Sequence, residues 1–209
     1  MFLMPLHFLI NMDEASRSKM EQKIISHSQF ELHKEKYLEM IRAGAVFICP
    51  TDTIYGLSCD ARNSTAVARI RDMKQRDVKP LSVWAPSKLW ILKYCSVEVD
   101  SLMVLPGPYT LLVPLREKVG NVAFSAEVLC GLEVVGLRIP DHWFSSVVAE
   151  LGFPLVTTSV NVSGQPFACA ISEIPASILE SVDFIIDEGM KSGRPSTIVN
   201  ILTGERLER

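Results

Sequence analysis

Short apolar runs and amphipathic stretches take turns along this chain, and their periods differ. Across residues 31–43, Leu32, Tyr37, Met40 and Ile41 fall near one face of a helix, and Gly44 is a natural stop. "AVFIC" follows, short and β-branched or aromatic enough for a buried strand, with Pro50 ending it. "NSTAVARIRDMKQR" predicts a helix capped by Asn63 or Ser64, with Val67, Ile70 and Met73 as its apolar stripe. "LSVWA" predicts a strand, and the segment through Val104 helix in pieces. "PGPY" at 106–109 is a turn into the strand "TLLVPL", and "LEVVGLRI" is a strand stopped by Pro140. Asp141 is placed to cap the helix "HWFSSVVAEL", closed by Gly152. "PLVTTS", "DFIIDEG" and "STIVNIL" predict three later strands, with the loop "NVSGQP" after the first. Strands and helices interleave without strict alternation, which implies an α/β fold of the α+β type: a twisted mixed open sheet flanked by helices.

The 209 residues, 48% of them hydrophobic, suffice for one substantial core. The expected organisation is an N-terminal extension over 1–29 and one domain over 30–209. The apolar start "MFLMPLHFLINM" is too short to span a bilayer and has no basic leader or cleavage pattern. It is either an extra segment packed on the domain or a stretch upstream of a true start at Met12 or Met20. Five cysteines without C-x-x-C spacing, and four histidines that do not cluster with them, suit reduced thiols in a cytoplasmic protein with no resident metal site.

The net charge of −3 does not suit a surface that coats nucleic acid, so a site for a polyanion must be local. Positive charge gathers between Arg69 and Pro80, where Arg69, Arg71, Lys74, Arg76 and Lys79 face only Asp72 and Asp77. A basic helix end is often a solvated face that complements the helix dipole. "KQRDVKP", however, sets three cations around a turn, able to converge on a multiply charged anion. "PTDTIYGL" puts two threonine hydroxyls and a carboxylate at a strand's C-terminal end, where ligands collect in open α/β sheets. "TTSVNVSG", 157–164, strings hydroxyls and an amide into a loop; these suit phosphate and ribose oxygens or the turn itself. Arg138 lies inside an apolar strand and needs an anionic partner, either in a structural ion pair or as a clamp for a substrate carboxylate. "PSTIVN" brings Ser196 and Thr197 to the entry of another strand. The nucleotide-binding, zinc-protease, nucleophile-elbow and EF-hand signatures are all missing.

In this order, "PTDTIYGL", "KQR…KP", "PGPYTLLV", "GLRIPDH", "TTSVNVSG" and "PSTIVN" resemble the YrdC family, the threonylcarbamoyl-AMP synthases, over about residues 30–203. The resemblance implies a concave, positively lined cleft and the condensation of L-threonine, bicarbonate and ATP, with Mg2+ accompanying the nucleotide and no organic cofactor. The product would pass to a separate transferase that modifies tRNA beside the anticodon. By the same resemblance Thr53, Arg138, Thr157 and Ser196 hold threonine, Arg138 at its carboxylate. Lys74 and Arg76 act in catalysis and, with Lys79, face the phosphates, while Ser159 and Asn161 contact the nucleotide. Two departures stand out: Val160 where the family has alanine, and Trp84 where a histidine is common near the threonine. The longer members close the site with a second domain, so this chain, ending at Arg209, is expected to use other means, its own N-terminal residues among them. The rival readings are a non-catalytic relative that binds tRNA or double-stranded RNA, and a carbamoyl-adenylate domain of hydrogenase-maturation type. The charge argues against the first; the short chain, without an acylphosphatase domain or zinc-finger cysteines, argues against the second.

Overall fold

A computed structural model describes residues 13–76, 79–116, 123–191 and 193–208. The apolar start, 1–12, and Asp77 and Val78 of the basic turn lie outside the described residues. The element order is α1 (Glu14–Lys23), β1 (Ile24–Ser26), α2 (His27–Leu32), α3 (Lys34–Arg42), β2 (Phe47–Pro50), β3 (Tyr55–Asp60), α4 (Ser64–Lys74), β4 (Ser82–Trp84) and α5 (Lys88–Tyr94). After a 3-10 turn at Val99–Leu102 come β5 (Tyr109–Pro114), α6 (Ala126–Leu129), β6 (Val134–Arg138), α7 (Phe144–Leu151) and β7 (Leu155–Ser159). A second 3-10 turn at Ile171–Glu173 leads to α8 (Ala176–Ser181), β8 (Phe184–Asp187), β9 (Thr197–Asn200) and β10 (Arg206–Leu207).

The strands form one mixed sheet in the order β1-β8-β2-β3-β7-β4-β6-β5-β9-β10. β1 pairs in parallel with β8 through Ile24 and Ile25, so the sheet begins ahead of residue 30 and the expected boundary falls within α2. The helix expected over 31–43 is two, broken at His33, and Ser26 and Gln29 close a capping box at the start of α2. Asn63 caps α4 as expected, its side chain accepting from the Ala66 N–H. Asp141 does not cap α7: Trp143 occupies the cap position without a side-chain bond, and Asp141 offers its backbone N–H to Asp52 instead.

Alternation along the strands divides the core between the two faces. Ile48, Leu57, Val83, Val156 and Ile185 point to one face, under α4, α5, α6 and α8. Phe47, Cys49, Trp84, Leu155, Phe184 and Ile186 point to the other, packed by Phe30, Tyr37, Leu38, Ile41, Phe144 and Val148 of α2, α3 and α7. On this second face the apolar cover ends part-way along the strands. Leu155 is followed at alternate positions by Thr157 and Ser159, and the position alternate to Trp84 on β4 is Ser82. Cross-strand partners share a face, so Gly56 and Ser58 (opposite Ser159 and Thr157) and Gly136 and Arg138 (opposite Ser82 and Trp84) extend the same polar half. That polar half of the sheet is the floor of the site.

Candidate active site

A cavity of about 440 Å3, open to solvent, lies over this floor. Its lining is mostly polar, with Thr51, Ser82, Thr157, Thr158, Ser159 and Ser196 around the guanidinium groups of Arg76 and Arg138. Gly56 keeps the floor open at one edge: a Cβ there would lie 2.7 Å from Thr157 Oγ1.

The turn joining β2 to β3 is held by its own hydroxyls. Thr51 Oγ1 accepts from the Thr53 and Ile54 N–H groups and lies 2.9 Å from Thr53 Oγ1. Arg138 reaches the cavity and is also ion-paired. Its Nη2 donates to Asp52 Oδ1 at 2.5 Å and to Thr53 Oγ1 at 3.3 Å, and both partners of the pair are almost wholly buried. Ser196 is oriented by Thr110 of β5, oxygen to oxygen 2.7 Å, and immediately precedes β9, the parallel neighbour of β5.

The cations of the basic turn occupy different surroundings. Arg76 lines the cavity while its guanidinium donates to the carbonyls of Lys79 and Pro80. Arg71 donates to the carbonyls of Glu127, Arg76 and Lys79, so two arginines shape the loop. Lys79 is exposed. Lys74 is buried at the end of α4, where its Nζ donates to Ser159 O at 2.5 Å and to Asn161 O and Oδ1 at 2.9 Å each. Ser159 Oγ donates to the same Asn161 Oδ1, and the Asn161 amide reaches Gln165 O. The expected site residues Arg76, Arg138, Thr157, Ser159 and Ser196 thus share the cavity wall, Thr53 supports it through Arg138, and Lys74 and Asn161 meet behind it.

Thr51 and Thr158, hydroxyls of the two threonine-rich stretches, also line the cavity, and Ser82 and Pro195 line it without having been singled out from the sequence. The signal was available in Ser82, the polar position of a short apolar strand. Trp84 turns away from the cavity into the aromatic core against Phe144, its indole N–H donating to Ser145 Oγ. Tyr55 lies at the cavity's edge and anchors the end of β8 with its hydroxyl, 2.7 Å from Gly189 O and accepting from the Glu188 N–H. Glu188 itself gathers Trp143 Nε1, His142 Nε2 and Lys191 Nζ. Burial alone would raise the Glu188 pKa, but these donors outweigh it and hold it below the ordinary glutamate range. Burial holds His142 below the usual imidazole range against the opposing pull of Glu188. Its Nδ1 accepts from the Phe144 N–H, which leaves the proton on the Nε2 that faces Glu188.

A mixed α/β fold with a cavity lined by arginines and hydroxyls defines a class of small-molecule site, and comparison with known proteins supplies the family. The family described as "Telomere recombination" (Sua5, YciO and YrdC) matches residues 39–208. The chain belongs to this Sua5/YrdC family. A Methanocaldococcus jannaschii protein provisionally named as a threonylcarbamoyl-AMP synthase is 37% identical over 82% of this chain and 85% of its own length. The threonylcarbamoyl-AMP synthase of Mus musculus is 34% identical over 71% of this chain, which spans about half (53%) of that relative. Among solved structures, P. abyssi Sua5 complexed with L-threonine superposes with a TM-score of 0.70 at 28% identity, covering 81% of this chain and 51% of that one. E. coli YciO, at 23% identity and a TM-score of 0.69 over 83% of this chain and 85% of its own, shares the fold. Among the described residues no helix is long and apolar enough to cross a membrane.

Proposed function

We propose that this protein is a threonylcarbamoyl-AMP synthase, a nucleotidyltransferase that condenses L-threonine, bicarbonate and ATP into threonylcarbamoyl-adenylate and pyrophosphate. One observation carries the reading: a single cavity joins Arg138, set among the hydroxyls of Thr157 and Ser196, with Arg76 and Ser159. The first group suits an amino-acid carboxylate and hydroxyl, the second a nucleotide. Threonine's neutral amine adds to the carbon of CO2 with loss of a proton, or to that of bicarbonate with loss of water, to form a carbamate. A carbamate oxygen then attacks the α-phosphorus of ATP, and the bond to the β-phosphate oxygen breaks to release pyrophosphate. The protein needs no covalent nucleophile for this. Its contribution is orientation, exclusion of water from a labile carbamate, and cations facing the developing phosphate charge.

Mg2+ enters this scheme as part of the nucleotide substrate. Among the described residues no three His, Cys, Asp or Glu side chains gather to hold a metal, and Asp52, beside the site, is engaged by Arg138. The adenylate would pass, in the cytoplasm, to a transferase acting on tRNA.

Incubating the purified protein with α-phosphate-labelled ATP, Mg2+, L-threonine and bicarbonate tests the proposal. A new adenylate that disappears when either threonine or bicarbonate is omitted is expected. A folded protein that binds ATP yet forms no adenylate refutes the synthase reading, and salt-sensitive RNA binding then becomes the reading to pursue.

A further inference from the structure

We infer that Asp52 is a positioning residue for threonine recognition, fixing from behind the cavity the plane in which Arg138 meets the substrate carboxylate. The inference rests on the proposal that Arg138 receives that carboxylate. Arg138 lines the cavity and Asp52 does not, so the ion pair approaches the guanidinium from the side away from the substrate space. Asp52 is itself fixed at both oxygens: Oδ1 accepts from Arg138 Nη2 at 2.5 Å, and Oδ2 accepts from the Asp141 N–H at 3.0 Å. It therefore ties the β2–β3 turn, the end of β6 and the approach to α7 to one point. Thr53 Oγ1 adds a second acceptor for the same Nη2 and belongs to the hydroxyl chain that stiffens the turn.

Two physical effects of Asp52 on a bound carboxylate oppose one another. Its charge repels the substrate and offsets part of the field of Arg138, so removing it would tighten threonine binding if charge alone mattered. Its bonds fix the guanidinium, and recognition by a planar fork depends on orientation held to about 10–20°. With side-chain exposures of 7% for Arg138 and 9% for Asp52, the pair is almost dry, and a loosened guanidinium has the hydroxyls of Thr53 and of the cavity wall to turn toward. Orientation therefore dominates, and Asp52 favours threonine despite its sign.

The test is steady-state kinetics of Asp52→Asn, with Asp52→Glu as a second variant that keeps the charge but displaces it by one methylene. Threonine binding by calorimetry in the absence of ATP accompanies both. A rise of about tenfold in the threonine KM and Kd is expected, the scale of one well-placed charge-assisted bond, with the ATP KM within about twofold of wild type. In an Arg138→Lys background, which has already lost the fork, adding Asp52→Asn should change the threonine KM by less than about twofold. An unchanged or lowered threonine KM in a folded variant overturns the inference, as do equal rises for both substrates or full additivity with Arg138→Lys. Wild-type protein that binds threonine but forms no adenylate refutes the synthase proposal while leaving the role of Asp52 to be judged by calorimetry. Wild-type protein that does not bind threonine overturns both.

Discussion

Lys74 shows how much a side chain's surroundings can alter the role that its type suggests. A lysine in a basic turn is expected to face phosphate, yet here the ammonium is buried and donates to Ser159 O, Asn161 O and Asn161 Oδ1. Such a cation organises the loop that would meet the nucleotide. Replacing it with methionine would take one donor from each of three oxygens; Ser159 O keeps the Asn161 N–H and Asn161 Oδ1 keeps the Ser159 hydroxyl, while Asn161 O loses the ammonium, at a cost of about 1–3 kcal/mol for a buried unsatisfied group. Lys74→Met is expected to weaken AMP and ATP by the same factor, about tenfold, because the loss acts through the loop. Calorimetry with both nucleotides checks this. A loss confined to ATP, with AMP binding intact, would place Lys74 at the β- and γ-phosphates and refute the loop role. The residue types were legible in the sequence, since cations, hydroxyls and the amide all appeared in recognisable stretches. Their directions were not, because which way a lysine stem runs depends on the strand end packed beside it.

Elements were most legible where pattern and punctuation agreed, as at α4, whose Asn63 cap and apolar stripe both hold. The strand Tyr55–Asp60 escaped notice because Ser58 and Asp60 look like loop residues. Both are buried for local reasons: Ser58 lies 3.5 Å from Cys49 Sγ, and Asp60 is paired with Arg62. α7 begins at Phe144, which puts Trp143 rather than Asp141 at its cap, and the Asp141 N–H serves Asp52, distant in sequence. The same dependence on distant partners governs the approach to β9, which carries Pro195 and Ser196 into the cavity wall. Gly193 lies flat on the β2–β3 turn: a Cβ there would stand 2.1 Å from the Thr53 carbonyl oxygen, and that neighbour is backbone. Even alanine must separate the two segments. Gly193→Ala is expected to lower the melting temperature and to raise the threonine KM at least tenfold by moving Ser196 relative to Arg138, on the scale of one lost positioning contact. A folded Gly193→Ala protein with an unaltered threonine KM would show that this packing does not position Ser196.

At the scale of the whole molecule, one face of the sheet serves two purposes. Its apolar half carries α2, α3 and α7, and its polar half forms the floor of the cavity. Period-two alternation places Leu155 and Thr157 on the same face, and what separates core from site is where the covering helices end. The Glu188 cluster lies across that junction, joining the end of β8 to His142 and Trp143 before α7 and to Lys191 on the way to β9. Both His142 and Glu188 titrate below their ordinary values, 6.5 and 4.5, so the unfolded chain binds the extra protons first. Stability from each is present above its unfolded pKa and is lost as the pH falls toward the folded one. Thermal unfolding should therefore show a melting temperature that declines from about pH 6.5 downward through His142 and declines further below about pH 4.5 through Glu188. His142→Gln removes the upper titration and keeps a side-chain donor available to Glu188, so its decline should begin only in the carboxylate range. If the variant instead retains the wild-type slope between pH 6.5 and 4.5, His142 is not the group that couples this junction to acid.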